Sequence, residues 1–220
     1  MQHLATEQFE AWLGNAEVIE KDGHGVKVLR LADGSFLKLF RYKRLLSKNR
    51  LISPAKRFSR NAALLQERNI PCPQVISTYR LSKPDRSLVH YNPLAGETIR
   101  HLLRQPDTSV GDLLEATGAF IAELHNAGVY FRSLHLGNII YTPNHRFGLI
   151  DIADLNCQKS PLSDWQRRRN LRHLLRYDED WKPLSRDNLK RLAAGYEAGA
   201  KKPLMLSEMA RFNLLGSGER

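Results

Sequence analysis

Residues 130–154, YFRSLHLGNIIYTPNHRFGLIDIAD, contain the most informative pattern in the chain. A polar, loop-like segment precedes one short apolar strand, and an aspartate follows a second one. The pattern predicts two strands and a connecting turn: Asn138–Tyr141, Phe147–Ile150 and Thr142–His145. Asn138 and Asp151 therefore flank this hairpin from the same end. Such a pair of oxygen ligands suits Mg²⁺, which takes few protein ligands and completes its shell with water and phosphate oxygens. A capped structural turn is the alternative, and Asp154 is a reserve ligand.

The same stretch resembles the catalytic loop of protein kinases and their small-molecule relatives. In that superfamily the loop has the pattern H-R-D-L-x-x-x-N, and D-F-G follows a hairpin. Phe131–Asn138 (FRSLHLGN) matches the first pattern in register. Arg132, Leu134 and Asn138 are retained, and Asp151 stands where D-F-G begins. The Leu-His-x-Gly-Asn core is also similar to the loop of aminoglycoside and choline kinases.

Within this superfamily the chain most resembles the bacterial lipopolysaccharide core kinases, the Kdo/heptose kinase group that includes small toluene-tolerance proteins. Asn69–Pro73 (NIPCP) resembles the G-[IL]-P-x-P step that follows the αC helix. Pro93–Thr98 (PLAGET) resembles the P-L-x-G-E-T segment near the hinge. The resemblance covers most of the chain. It implies an ATP- and Mg²⁺-dependent kinase that phosphorylates a sugar hydroxyl of lipopolysaccharide core or a related glycolipid.

The distribution of strands and helices predicts an α+β fold, and the resemblance implies the bilobal protein-kinase-like form. The pattern changes near Pro93, which divides the chain into an N-lobe, residues 1–92, and a C-lobe, residues 93–220. The N-lobe is predicted as a small antiparallel sheet with one helix, and the C-lobe as mainly helical. The predicted N-lobe strands are Ala16–Glu20, Val26–Leu31, Phe36–Phe40, Gln74–Leu81 and Ser87–Tyr91.

Capping residues predict where the helices begin. Ser53 as N-cap and Pro54 in the first turn begin the N-lobe helix, which must end at Asn69–Pro73. In the C-lobe, Ser109 with Asp112 resembles a variant capping box for a helix that ends near Gly128. Two further helices are predicted: Asp164–Arg176 and Asp187–Ala198.

Several N-lobe residues are predicted to bind the nucleotide. Lys38 is a lone charge among apolar strand residues, and the family implies that it holds ATP phosphates. An exposed lysine on an edge strand is the alternative. Gly23 and Gly25 let backbone N–H groups approach phosphates, although an ordinary hairpin turn explains them equally well. His90 and Tyr91, just before the hinge-like segment, complete the predicted nucleotide contacts. Lys38 is expected to face Asn138 and Asp151 inside one cleft.

Two departures from the family pattern bear on catalysis. The aspartate that accepts or orients the substrate proton is Ser133 here, and a serine cannot act as a carboxylate base. His135 is the substitute candidate, and Arg132, Ser133 and His135 are the predicted catalytic residues. The N-lobe helix carries its only carboxylate, Glu67, in its last turn, which is too near the end to pair obviously with Lys38. A pseudokinase with a regulatory or scaffolding role is therefore the alternative function.

Charge is the one unusual bulk property of the chain. A formal charge of +11 over 220 residues favours anionic partners. The basic residues cluster at Arg41–Arg50 and on the helix that carries Arg167, Arg168, Arg169, Arg172 and Arg176. A solvated helical face explains either cluster alone, whereas an acidic glycolipid in a negatively charged leaflet would attract both. Nucleic acid is a weaker prediction because no recognition motif accompanies the charge.

The sequence also predicts where the protein works. The chain contains no apolar run of the ~18 residues that a membrane span needs, and its N-terminus lacks the basic and apolar regions of a signal peptide. The two cysteines, Cys72 and Cys157, lie far apart and are interpreted as packing residues. We therefore expect a cytoplasmic protein, with peripheral contact at the inner face of the cytoplasmic membrane.

Overall fold

The computed structural model describes residues 1–23, 25–41, 52–82, 85–212 and 214. The chain forms two compact units, Met1–Leu94 and a second unit that begins at Ala95. Each unit contains both helices and strands, which confirms the α+β class. The bilobal arrangement stays a prediction.

The described residues of the first unit form one six-stranded sheet and two helices. Its elements are β1 (Gln2–His3), α1 (Thr6–Gly14), β2 (Glu17–Asp22), β3 (Gly25–Arg30), β4 (Phe36–Arg41), α2 (Pro54–Gln66), β5 (Gln74–Leu81) and β6 (Arg86–Asn92). The strand order is β1-β5-β6-β4-β3-β2. Each neighbouring pair is antiparallel except β1 and β5, which run parallel.

Two predictions for this unit are therefore corrected. The sheet is mixed rather than antiparallel, because the two-residue strand β1 pairs with the remote strand β5. The unit has a second helix, α1, in addition to α2. Phe9 of α1 and the preceding Leu4 are buried in the same apolar cluster as strand residues such as Leu37, so α1 closes part of the sheet core.

Helix α2 begins and ends for local reasons. The Ser53 hydroxyl accepts a hydrogen bond from the Lys56 amide at 3.2 Å, which confirms Ser53 as N-cap, and Pro54 occupies the first turn. Phe58 and Leu65 are buried on one face. After Gln66 the chain turns through Asn69, whose φ of 55° lies in the left-handed region and cannot continue the helix.

The second unit is mainly helical. Its α-helices and strands are β7 (Glu97–Thr98), α3 (Ile99–Leu102), α4 (Val110–Asn126), β8 (Val129–Phe131), β9 (Ile139–Tyr141), β10 (Phe147–Leu149), β11 (Leu155–Cys157), α5 (Asp164–Leu175), α6 (Asp178–Trp181), α7 (Arg186–Ala200) and α8 (Leu204–Arg211), and short 3-10 turns lie at Leu136–Asn138 and Ile152–Asp154. Strands β10, β9 and β7 form one small sheet, and β11 pairs with β8. The predicted hairpin corresponds to β9 and β10, and the predicted later helices correspond to α5 and α7.

The helix caps in this unit correct one prediction. At α4 the Ser109 hydroxyl donates to the Asp112 carboxylate at 2.5 Å and makes no capping bond to the backbone, so this pair is not a capping box. At α5 a complete capping box is present. The Ser163 hydroxyl accepts from the Gln166 amide, and the Gln166 side chain accepts from the Ser163 amide.

Helices α4 and α7 approach each other closely through two glycines. A Cβ atom on Gly118 of α4 would overlap the Leu192 carbonyl oxygen of α7. A Cβ atom on Gly195 of α7 would likewise overlap the Glu115 carbonyl oxygen of α4. The contact is reciprocal, so the two backbones lie as near to each other as glycine permits.

No helix in the described part of the chain is both long enough and apolar enough to cross a bilayer.

Candidate active site around residues 130–154

The loop 132–138 begins where two short strands end. Strand β8 pairs antiparallel with β11 so that Phe131 lies opposite Leu155. Arg132 therefore leaves β8 at the same edge at which Asp154 enters β11. Both residues are exposed, whereas Phe131 is fully buried. The pairing brings a predicted catalytic arginine and the predicted reserve ligand to one edge of the unit.

The backbone of Phe131 is clamped by a buried side chain of α5. Asn170 donates from Nδ2 to the Phe131 carbonyl oxygen at 2.6 Å and accepts from the Phe131 amide at 3.3 Å. Asn170 is 1% exposed, so both bonds lie away from water. Two buried bonds to one residue fix the direction in which the loop leaves β8. This clamp was not predicted from the sequence.

The clamp extends to His125 of α4 and Tyr196 of α7. Asn170 Oδ1 lies 3.2 Å from His125 Nε2, and His125 Nδ1 lies 2.9 Å from the Tyr196 hydroxyl. Because Asn170 Oδ1 can only accept, His125 carries its proton on Nε2, and Tyr196 donates to Nδ1. Burial, reinforced by the charge of Arg167, lowers the pKa of His125 from 6.5 to about 3. The network is therefore neutral at physiological pH.

Hydrogen bonds within the loop give it a fixed shape. The Leu134 amide donates to the Phe131 carbonyl at 3.1 Å, and the Asn138 amide donates to the His135 carbonyl at 2.9 Å. The Asn138 side chain is buried and donates from Nδ2 to the Ser133 carbonyl at 2.9 Å. This bond assigns the two ends of the amide, so Oδ1 is the end that is able to accept or to ligate a cation.

Asp151 lies at the same end of the β9–β10 hairpin as Asn138. Ile139 pairs with Leu149, and the Ile150 amide donates to the Asn138 carbonyl at 3.1 Å, so Asp151 follows directly. Asp151 is exposed and has φ 53° and ψ 43°, in the left-handed region. That conformation costs a residue with a side chain about 1–2 kcal/mol, although aspartate tolerates it better than most. Strain of this kind in native proteins is concentrated at functional sites.

His135 is half-buried at the tip of the loop. Its Nδ1 accepts from the Gly137 amide at 3.1 Å, and its ring meets Tyr177 edge-on with centroids 4.9 Å apart. An acceptor nitrogen carries no proton, so in neutral His135 the proton is on Nε2. Burial, followed by the charge of Arg100, lowers the pKa of His135, and Asp180 and Asp151 oppose that shift. The ring is therefore neutral near pH 7, with its lone pair engaged by Gly137.

An ion pair that the sequence did not reveal packs against this loop. Arg100 of α3 donates from Nε and Nη2 to the two carboxylate oxygens of Asp180 at 2.5 and 2.8 Å. The Asp180 side chain is fully buried. A Cβ atom on Gly137 would lie 3.2 Å from Nη1 of Arg100, so the guanidinium rests directly on the loop. The partners are 80 residues apart in sequence, and no local pattern links them.

Lys38 belongs to the first unit and lies in the interior of its sheet. Strand β4 is flanked by β3 and β6, with Val28 and Val89 as the neighbours of Lys38. This excludes the alternative of an edge-strand lysine. Its ammonium lies 5.9 Å from the centre of the Phe40 ring, and the residue is half-buried. The convergence of Lys38 with Asn138 and Asp151 stays a prediction.

The other predicted nucleotide residues lie in a turn and on β6. Gly25 pairs with Asp22 in the β2–β3 hairpin and has φ 111°, a conformation that favours glycine. Gly23 lies in the same turn, where a Cβ atom would meet nothing within 4 Å. His90 Nε2 lies 2.7 Å from the Ser35 hydroxyl, which donates to Asp33, so His90 is the donor. Tyr91 is buried, with its ring 5.3 Å from that of Phe58.

The donor set of the hairpin end fits magnesium better than a transition metal. In the described residues no group of three or more His, Cys, Asp or Glu side chains is arranged to hold a metal ion. Magnesium does not need such a group, because one or two oxygen ligands suffice when phosphates and water complete its octahedron. Asn138 Oδ1 and the Asp151 carboxylate are oxygen donors of this kind.

An asparagine before a hairpin and an aspartate after it are the metal-binding arrangement of kinase-type phosphotransferases. The model of the lipopolysaccharide kinase (Kdo/WaaP) family matches residues 95–196, which include both side chains, the loop and its clamp. The match confirms the family predicted from Phe131–Asn138, and it indicates lipopolysaccharide kinase activity in general. A search of curated proteins finds no significant match.

Proposed function

We propose that this protein transfers the γ-phosphate of ATP, with Mg²⁺, to a sugar hydroxyl of lipopolysaccharide core or a related glycolipid. The observation that carries the proposal is the position of Asn138 and Asp151 at one end of the β9–β10 hairpin. The family match over residues 95–196 supports the reaction class. The acceptor sugar is inferred from the resemblance to lipopolysaccharide core kinases.

The residues take distinct roles in this proposal. Asn138 Oδ1 and the Asp151 carboxylate hold the metal, and Asp154, directly before β11, is the reserve ligand. Bound Mg²⁺ supplies positive charge that offsets the charge developing on the phosphate oxygens. Lys38 and the β2–β3 turn at Gly23 and Gly25 are assigned to the ATP phosphates. His90 and Tyr91 are assigned to the same nucleotide.

The reaction proceeds without a carboxylate base in the loop. A bond forms between the acceptor oxygen and the γ-phosphorus as the bond to the bridging oxygen of ADP breaks, and the hydroxyl proton passes to solvent. Phosphoryl transfer depends chiefly on positioning and charge neutralisation, so this route is chemically sufficient. The lone pair of His135 is engaged by Gly137, so its Nε2–H donates a hydrogen bond to a reactant oxygen. Exposed Arg132 adds positive charge beside it.

The direct test is phosphate transfer from labelled ATP to purified core glycolipid. We expect Asp151→Asn to lower the rate by roughly 10²–10³-fold, the effect of removing one preorganised electrostatic contact. Asp187→Asn is the matched control, because Asp187 is an exposed aspartate in the first turn of α7. Undiminished transfer by Asp151→Asn would refute the proposed metal site. Loss of activity in His135→Ala with a shifted pH profile would instead make His135 the proton acceptor.

A pseudokinase remains the second candidate, and two observations favour it. Ser133 replaces the usual catalytic aspartate, and α2 contains no carboxylate because Glu67 lies just beyond its end. Thermal unfolding with millimolar ATP and Mg²⁺ separates the alternatives, since a ligand that binds only the folded chain raises its melting temperature. A shift without phosphate transfer would favour the pseudokinase. Absence of a shift would favour a scaffold without nucleotide, and Lys38→Ala tests the lysine in the same assay.

The acceptor also indicates where the protein acts. In this proposal the enzyme works in the cytoplasm, in peripheral contact with the inner face of the cytoplasmic membrane. The first predicted basic cluster is Arg41–Arg50. Arg41 is exposed at the end of β4, and residues 42–50 lie outside the described part of the chain. The second cluster lies on α5. Steep salt-dependent binding to random DNA would favour the weaker prediction of a nucleic-acid partner.

A further inference from the structure

Helix α5 presents one exposed face that combines an aromatic residue with arginines. Trp165, Arg168, Arg169 and Arg172 follow one another at positions i, i+3, i+4 and i+7, which places them on one side of the helix. We call these four residues the α5 face. Trp165 is 66% exposed, the largest exposed fraction of any large apolar side chain described. Neither catalysis nor core packing explains a tryptophan in that position.

Arg167 of the same helix does not belong to this face, which corrects the predicted basic cluster. It is 6% exposed and donates from Nε to the Leu162 carbonyl at 2.9 Å and from Nη2 to Asn126 Oδ1 at 2.8 Å. Its guanidinium is a structural group. The surface charge of α5 is therefore carried by the arginines that follow Arg167 in the helix.

A buried carboxylate holds part of the α5 face in place. Arg172 donates to Glu208 of α8 at 2.8 Å, and Arg168 lies 3.3 Å from the same carboxylate. Burial raises the pKa of Glu208, but the hydrogen bonds from Arg172 and Arg168 and the charges of Arg172 and Arg211 outweigh burial, so its pKa is lowered. Glu208 is thus ionised at neutral pH and orders two side chains that remain about two-fifths exposed.

The remaining arginine is ordered by the tryptophan. The Arg169 guanidinium lies 5.3 Å from the centre of the Trp165 ring, within the range of a cation–π contact. The α5 face therefore carries three guanidinium groups against one carboxylate. Its net charge is positive, and its one aromatic group stands out into solvent.

The α5 face lines a groove on the surface of the second unit. The groove has a volume of about 390 Å³ and is lined by the four residues together with His173. His173 Nε2 lies 3.3 Å from the Tyr130 hydroxyl on β8, two residues before Arg132. Burial, together with the charges of Arg176, Arg169 and Arg132, lowers the pKa of His173, so the ring stays neutral near pH 7.

We infer that the α5 face is a docking surface for the headgroups of an anionic phospholipid bilayer. Guanidinium groups pair with phosphates bidentately, and tryptophan prefers the headgroup level of a membrane, where its ring is apolar and its N–H is wet. A positive face with one projecting tryptophan matches that environment in both charge and polarity. A nucleic-acid strand would need a row of stacking rings, whereas Trp165 is already covered on one side by Arg169.

The inference deepens the proposed membrane contact, but it rests on the charge and exposure of α5 and not on phosphate transfer. Bilayer binding is measured without ATP or acceptor. Failure of the kinase assay therefore leaves this inference standing, and failure of bilayer binding leaves the kinase proposal standing.

Flotation with vesicles tests the α5 face. We expect the full chain to float with vesicles that contain phosphatidylglycerol, but not with pure phosphatidylcholine, and to be released by high salt. Arg169→Gln should weaken binding about fivefold, the effect of one basic residue near an anionic surface. Arg169 is the arginine to change because Glu208 does not depend on it. Arg186→Gln, an equal loss of charge at an exposed site on α7, should bind like the native chain.

Tryptophan emission reports the contact itself. With anionic vesicles the exposed Trp165 should shift to shorter wavelength and become quenched by brominated lipid, while Trp181, 1% exposed, should not. Trp165→Phe should abolish the shift. Equal weakening by Arg169→Gln and Arg186→Gln would reduce the effect to net charge and overturn the inference. Native emission that is unchanged by vesicles, or α5-dependent binding to DNA in place of vesicles, would overturn it as well.

Discussion

The base of the loop 132–138, where it leaves β8, and its tip differ in burial and in charge. At the base, Asn170 holds the Phe131 backbone and is itself bonded to His125, and all of these groups are neutral and buried. At the tip, Ser133 and His135 are half-buried, and Asp151 is exposed in a strained conformation. The base determines where the loop lies, and the tip is left to interact with charged reactants. The difference predicts that changes at the base alter stability and that changes at the tip alter chemistry.

The largest expected effect is at Asp151, where one substitution should lower the activity and raise the stability of the fold. If Asp151 is the metal ligand that we propose, Asp151→Gly should lower phosphate transfer by roughly 10²–10³-fold. The same change should stabilise the fold by about 0.5–1 kcal/mol, because glycine adopts φ near 53° without strain. Urea unfolding and the transfer assay measure the two quantities. A variant with a lower unfolding free energy as well as a lower transfer rate would show that Asp151 is structural.

The next effect belongs to the base. Asn170→Ala removes both bonds to the Phe131 backbone and leaves buried donors and acceptors unpaired, at an expected cost of about 2–4 kcal/mol. Asn156→Ala, at an exposed position of β11 beside the clamp, should lower the unfolding free energy by less than about 0.5 kcal/mol. Chemical denaturation of both variants checks this. Equal small losses would mean that the clamp contributes little.

The pH dependence of the unfolding free energy tests whether His125 is neutral in the folded chain. Because the folded pKa of His125 is about 3 and its ordinary value is 6.5, the unfolded chain binds the proton first as pH falls. His125 therefore stabilises the fold above pH 6.5, and this stability is lost below it at about 1.4 kcal/mol per pH unit.

Unfolding free energies measured between about pH 6 and pH 4 check this slope. His125→Gln should flatten it by that amount. His90, His135 and His173 also have lowered pKa values, so some slope should survive in the variant. An unaltered slope in His125→Gln would mean that His125 is charged in the fold.

The smallest effect is expected at Ser133. A serine supplies no base at neutral pH, so Ser133→Ala should change the transfer rate by less than about tenfold, and the loop bond from Asn138 should survive because it uses the Ser133 carbonyl. Ser133→Asp is the informative partner, since it supplies the family's carboxylate. A large gain in rate with Ser133→Asp would show that the native chain is poorly catalytic and would favour the pseudokinase.

Local signals predicted the elements that carry the site. Ser53 and Pro54 predicted the start of α2, and Asn138 and Asp151 predicted where the β9–β10 hairpin begins and where it finishes. These features depend on neighbouring residues, so the sequence carries a signal for them. The α+β class followed from the same patterns. The metal-binding, catalytic and nucleotide-binding roles of the site residues stay predictions.

Other features depend on contacts between remote parts of the chain. The Arg100–Asp180 pair joins residues 80 apart, and the His125–Tyr196 bond joins residues 71 apart, so periodicity and spacing carry no signal for either. Strand β1 has two residues and exists only because β5 offers a sheet edge. Arg167 and Arg169 are indistinguishable in sequence, yet Arg167 is buried and Arg169 is exposed.

The glycine contact between α4 and α7 sets the distance between these two helices. Tyr196 follows Gly195 directly, so the distance between the two helix backbones sets how far its hydroxyl must reach to meet His125. Alanine at Gly195 would force the helices apart and stretch that bond, and the displacement would pass through His125 and Asn170 to Phe131. A methyl group on α7 would thus misalign the loop through the hydrogen bonds of Tyr196, His125 and Asn170.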